Sequence, residues 1–115
     1  MKNKDLEFYD PRFYGTESYH KCMFGSMVYT DSVKHLCNEK SCYWLLDMVN
    51  SYWPQFKKHD FLVITLLVTD NTALFEIRTD SGVIPIITQK IGFTDLEINI
   101  KFFYSNNVLM FPSDY

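Results

Sequence analysis

The pattern of apolar positions changes period about halfway along the chain, and that change carries most of the fold. In the first half, Cys42, Leu45, Leu46, Val49 and Trp53 recur at helical spacing, and Trp44, Met48 and Tyr52 form a second stripe beside them. Nearly every side of this helix therefore needs cover. Only Asp47, Asn50 and Ser51 interrupt the apolar surface, on one narrow face. Ser41 is placed to cap the helix, and Pro54 disfavours helical geometry at the residue before it, so the helix is expected over residues 42–52. Before it, Thr30-Asp31 offers an N-cap for a shorter helix reaching about Asn38, with Val33, Leu36 and Cys37 on one face. Gly15 and Thr16 suggest a turn into a third, short helical segment through Lys21.

From Phe61 the period is two. Residues Phe61 to Thr69 are rich in β-branched side chains and apolar on both faces, the pattern of an inner strand covered on both sides or nearly so. Asp70-Asn71 is a two-residue turn, and Ala73 to Thr79 alternates as its hairpin partner. A third strand is expected from Val83 to Ile91, at an edge or with a bulge because Pro85 has no amide to give a ladder. Glu97 to Tyr104 alternates again, with Phe103 as an apolar exception on the outer face, and Val108 to Phe111 follows the Ser105-Asn106-Asn107 turn. The expected architecture is α+β: two to three N-terminal helices packed on a C-terminal antiparallel β-meander of four to five strands. One domain is expected over residues 1–115, with residues 1–10 as an extended arm from which Leu6, Phe8 and Tyr9 can dock.

Composition narrows the function classes. A net charge of −3, with Arg12 and Arg78 the only arginines, gives no basic footprint and speaks against a dedicated nucleic-acid binder. It suits a partner with a basic surface. Three cysteines, Cys22, Cys37 and Cys42, behind a charged rather than apolar start suggest reduced thiols and a cytoplasmic setting. The longest apolar run, Phe61 to Val68, is too short to span a bilayer, so no membrane role is expected.

Specific chemistry is sparse. Asp31, Asp47 and Asp95 would form an acid/base or cation site if they converged, but Asp31 and Asp95 follow threonines where caps and turns want an acceptor. His35 with Cys37 and Cys42 has neither the spacing of a zinc hook nor a second pair of ligands, and His59 beside Lys57 and Lys58 reads as a solvated basic spot. No cofactor or metal is expected, and no catalytic residue is assigned. The richer signal is aromatic: Tyr9, Phe13, Tyr14, Tyr19, Phe24 and Tyr29 crowd the first thirty residues, as either core or contact surface.

Several short pieces together resemble an uncharacterised family of small proteins, a domain of unknown function found in bacteria, their phages and mobile elements. They are Tyr14-Gly15-Thr16-Glu17 with Tyr19, Tyr29-Thr30-Asp31 with Val33, Tyr43-Trp44-Leu45-Leu46-Asp47, Gln89 with Phe93-Thr94-Asp95, and the ending Phe111-Pro112-Ser113-Asp114-Tyr115. The chain departs from that pattern at Leu96-Glu97, where an aromatic and a proline are usual, and at Asp114, where Glu is preferred. The resemblance implies no activity and carries over no catalytic residue. It implies a mobile-element protein working in the host cytosol on a host machine. The leading expectation is thus a non-catalytic interaction protein, an inhibitor of a bacterial defence complex of the anti-CRISPR kind. It would bind a host protein or ribonucleoprotein at a basic nucleic-acid channel through Tyr9, Phe13, Tyr14, Tyr19, Tyr29, Asp31, Asp47 and Asp95. The alternatives are a small enzyme or ligand-binding protein with a pocket near Asp47 and Asp95, and a regulatory RNA-binding protein that stacks bases on its aromatics.

Overall fold

A computed structural model describes residues 7–10, 19–22, 27–79 and 84–115. In chain order the elements are β1 (Tyr19–Lys21), β2 (Val28–Thr30), α1 (Asp31–Lys40), α2 (Tyr43–Phe56), β3 (Phe61–Thr69), β4 (Thr72–Thr79), β5 (Ile87–Ile91), β6 (Ile100–Ser105) and β7 (Val108–Met110). The fold is α+β, but the arrangement differs from helices followed by a meander. Among the described residues there are two helices, and they are inserted into a seven-stranded sheet of order β1-β2-β7-β6-β3-β4-β5. That sheet is mixed, because β2 runs parallel to β7 while the other pairs are antiparallel.

The segment expected to turn helical before Lys21 is strand β1 over its described residues, 19–21. Tyr19, His20 and Lys21 pair with Thr30, Tyr29 and Val28, so the segment's inward backbone groups are taken up by the sheet edge. Helix α1 starts as its sequence suggests, with the Thr30 hydroxyl accepting from the Val33 amide at 3.4 Å and Asp31 in the first turn. It ends at Lys40 because Ser41 turns left-handed, with φ 54°. Ser41 therefore closes α1 instead of capping α2, whose N-cap is Cys42 without a side-chain bond.

Helix α2 runs past Pro54 to Phe56. Proline removes one helical hydrogen bond, but the turn is held from outside. Phe56 is fully buried with its ring centre 4.9 Å from that of Tyr104 in an edge-to-face pair, the Lys57 amide donates to the Trp53 carbonyl, and the Lys57 ammonium lies 5.0 Å from the centre of the Trp53 ring. Tyr52 donates to Gln89 and the Trp53 indole donates to Asn107, which ties the helix to both halves of the sheet.

The inner position of β3 follows from its sequence: it pairs with β4 along its length and with β6 on its other side. Both adjoining hairpins turn through consecutive residues in the left-handed region, Asp70 and Asn71 (φ 51° and 65°) and Asn106 and Asn107 (φ 52° and 66°). Asp and Asn tolerate that region better than other side chains. The third strand is shorter than expected. Its described ladder starts at Ile87, beyond the amide-less Pro85, and β5 is an edge strand as proline implied; Val83 lies outside the described residues. Strand β6 begins at Ile100 because Asn99 takes the Val68 amide with its side chain, at 2.7 Å, while its carbonyl accepts from Tyr9. Residues 8–9 thus run beside the start of β6, with Phe8 bridged to Asn99.

Leu62, Ile64, Leu66, Phe75, Ile77, Phe102 and Tyr104 alternate onto one sheet face and share a core with Val33, Leu36, Leu45, Leu46 and Val49 of the helices. The alternate positions of β3, Phe61, Val63, Thr65 and Leu67, remain half-exposed. Both described helices pack on the opposite face, so the cover expected on both sides of β3 or nearly so is complete on that face and partial on this one.

Replacing Phe56 by Ala is expected to cost about 3–5 kcal/mol in urea unfolding, because a buried ring is removed beyond Pro54. A helix ending before the proline would leave the same substitution within about 0.5 kcal/mol.

Candidate functional site

Two loops meet at the turn of the β3–β4 hairpin. The Thr94 amide donates to the Asn71 carbonyl at 2.8 Å, and the Asn71 side-chain amide donates back to the Thr94 carbonyl at 3.2 Å. Thr94 is itself buried, its hydroxyl accepts from the Leu96 amide, and Leu96 is in the core. Between the end of β5 at Ile91 and the tied Thr94 the chain nevertheless presents Phe93 with 72% of its surface exposed. A large apolar side chain held outward on a tied loop differs from one on a frayed end, because little ordering remains to be lost when a partner covers it.

Asp95 joins two depressions beside this loop. One, of about 260 Å³, is lined by Trp44, Ile91, Phe93, Thr94 and Asp95. The other, of about 530 Å³, is lined by Glu39, Lys40, Ser41, Asp95, Leu96, Glu97 and Ile98. Three carboxylates face one lysine there, so the rim is acidic. Tyr9 belongs to the same border: its ring lies 5.6 Å from Phe111 and its hydroxyl donates to Glu39 at 2.7 Å. Burial, then the bond to Glu39, pushes the Tyr9 hydroxyl above its ordinary range and keeps it a donor.

The other expected contact residues fall elsewhere. Asp31 pairs with His20 at 2.6 Å, and the His20 ring lies 5.5 Å from that of Tyr29, which is buried. Asp47 is exposed on α2 and lines a depression of about 270 Å³ with Lys21, Cys22, Tyr29, Tyr43 and Leu46. Asp47 and Asp95 thus line separate depressions, and the three aspartates are not brought together. Tyr19 is 62% exposed and lines a further depression of about 470 Å³ with Tyr115. Phe13 and Tyr14 lie outside the described residues. Among the described residues, no three His, Cys, Asp or Glu side chains are grouped to hold a metal ion.

Asp114 is a structural residue that sequence reasoning missed. Its carboxylate accepts from the Thr30 hydroxyl at 2.9 Å, the Ser32 hydroxyl at 3.2 Å and the Phe111 amide at 3.1 Å. Thr30 and Ser32 are buried, so Asp114 satisfies hydroxyls that water cannot reach. The knot sets down Tyr115, whose ring lies 5.3 Å from Phe61 and 5.7 Å from Phe103. The visible signal was the outward Phe103. The three cysteines are buried and free. Burial, with Asp47 adding to it, pushes the Cys22 thiol up to about 11. A hydrogen bond between Cys37 and Cys42 pushes Cys37 up and pulls Cys42 down, while burial opposes ionisation of either.

The fold is α+β, with a tied loop that carries Phe93 beside Asp95. The chain belongs to a family of unknown function, DUF6876, whose model matches residues 5–115. No curated protein and no solved structure matches it.

Asp114→Ala is expected to lose about 2–4 kcal/mol in urea unfolding, since it leaves buried hydroxyls without an acceptor, whereas exposed Asp95→Ala stays within about 0.5 kcal/mol. Cys22 should react with a disulfide reagent at pH 8 about a hundredfold more slowly in the native protein than after denaturation, because both thiolate fraction and access fall. Equal rates in the two states would contradict the burial described.

Proposed function

We propose that this protein acts by binding another protein rather than by catalysis, with the loop around Phe93 as its contact. The supporting observation is the tied presentation of Phe93 above an acidic depression. Aromatic side chains that enter a partner's pocket supply most of the affinity at protein interfaces, and surrounding charge sets encounter rate and partner choice. Here the surrounding charge is Glu39, Asp95 and Glu97, which fits a partner with a basic surface. Trp44 and the Tyr9 hydroxyl extend the same surface on either side.

The narrower reading is an inhibitor encoded by a phage or mobile element, acting in the host cytosol on a bacterial defence complex of the CRISPR type. It would occupy a basic nucleic-acid channel, where carboxylates substitute for phosphates and Phe93 fills an apolar niche beside them. The small size, the acidic balance and the resemblance to mobile-element proteins support that choice of partner.

The test is an affinity capture from host lysate with the wild-type chain and with a Phe93→Ala, Asp95→Lys, Glu97→Lys variant. The wild type is expected to retain a protein with a basic surface, and the variant to lose it at least tenfold with Tm unchanged. Equal retention by both would move the contact elsewhere, and no retained protein would end the binding reading.

A further inference from the structure

The second face of the sheet has a character opposite to that of the acidic loop. On its central strands Phe61 and Phe103 meet edge to face at 4.9 Å, and Tyr115, 74% exposed, packs against both rings. The register places cations around this trio. Arg78 lies in the same cross-strand row as Phe103, through Val63, and Lys101 lies one side-chain step along β6, opposite Thr65. Lys90 points to the same face from β5, opposite Leu74. The one carboxylate in these rows is Glu76, which is bonded to Arg78 at 2.6 Å. Lys101 also lies 4.9 Å from the Phe8 ring, where an aromatic surface continues the face past β6.

Net charge hides this arrangement. The chain is acidic in total, but the rows of this face on β3 to β6 carry three cations against one carboxylate, with Asp114 at their border beside Tyr115. The helices pack on the opposite face, so none of the described helices or strands lies over the trio. An acidic peptide would satisfy the cations but has no use for three clustered rings. A strand of unpaired nucleotides uses both, because its bases stack on aromatic faces and its phosphates take the flanking ammonium and guanidinium groups.

We propose that this face binds single-stranded nucleic acid, with Tyr115 and Phe103 stacking bases and Lys101, Lys90 and Arg78 contacting phosphates. Bases stack on Tyr115 first, since it is the most exposed ring of the trio, and the backbone runs across β6, β3 and β4 toward β5. The site does not rest on the protein-binding loop. If both operate, the partner is a ribonucleoprotein whose protein and strand are contacted by separate surfaces.

Fluorescence polarisation of a labelled twelve-nucleotide oligouridylate, at low salt and over a salt series, reads the proposal directly. Binding in the micromolar range is expected, weakening with a log–log slope of about −2, as about three phosphate contacts on a single strand would give. Tyr115→Ala should weaken it about tenfold, as should Lys90→Glu combined with Lys101→Glu, all at solvent-facing or half-exposed positions where unfolding is readily checked by Tm. The Phe93→Ala, Asp95→Lys, Glu97→Lys variant should lose no affinity for the oligonucleotide, which separates this site from the loop. No binding at about 100 µM protein overturns the proposal. So does equal binding of a polyglutamate peptide, insensitivity to Tyr115→Ala and the lysine changes, or self-association that the same changes abolish.

Discussion

The structure depends on one burial problem, the cover of helix α2. Leu45, Leu46, Val49 and Phe56 are almost wholly removed from solvent, and Trp44, Met48, Tyr52 and Trp53 pack partly against the same core. At roughly 1.5–3 kcal/mol for each fully buried large side chain, the first four alone contribute on the order of the net stability of a small domain. No single strand is wide enough to supply that cover. The sheet supplies it by presenting one face built from β3, β4, β6 and β7, and everything else is arranged around that contact. The expected reading of the helix survives in part: Asp47 and Ser51 do reach solvent, and Asp47 lines a shallow surface depression rather than a shared acid site.

What the sequence made legible was local. The Thr30 cap, the Asp70-Asn71 and Asn106-Asn107 turns and the alternation of β3 and β4 each depend on a few neighbouring residues, and each is found where expected. What it hid was non-local. Strands β1 and β2 have three residues each, too few to show a period, and the parallel pairing of β2 with β7 joins segments about eighty positions apart. Pro54 was given too much weight because its local preference is overridden by the burial of Phe56 and the packing of Trp53. Phe103 did signal an apolar outer face, but nothing near it in sequence announced Tyr115 or Phe61 as neighbours.

The candidate surfaces were legible to a similar degree. Asp95 and Tyr9 were singled out from sequence and border the same loop region, joined through Glu39. Phe93, in the segment that resembles the family, gave no local sign of exposure, because only the bonds of its neighbours to Asn71 and the core hold it outward. Overall charge was the least informative quantity. An excess of three negative charges is compatible with a sheet face on which cations outnumber acids, since a sum over the chain has no geometry.

The bonds from Thr30 and Ser32 to Asp114 have a consequence for how the chain reaches its native state. They join residues 84 and 82 positions apart, and they sit at the start of α1, in the strand that pairs with β7. Helix α1 can form early as a local structure, but its first turn is not locked to the sheet until the segment around Asp114 arrives. A nascent chain halted before residue 108 therefore has its helices but lacks β7, the strand that joins β1 and β2 to the rest of the sheet. High separation between contacting residues slows folding, and here it delays the locking of the first turn of α1 to the sheet until the segment around Asp114 is present.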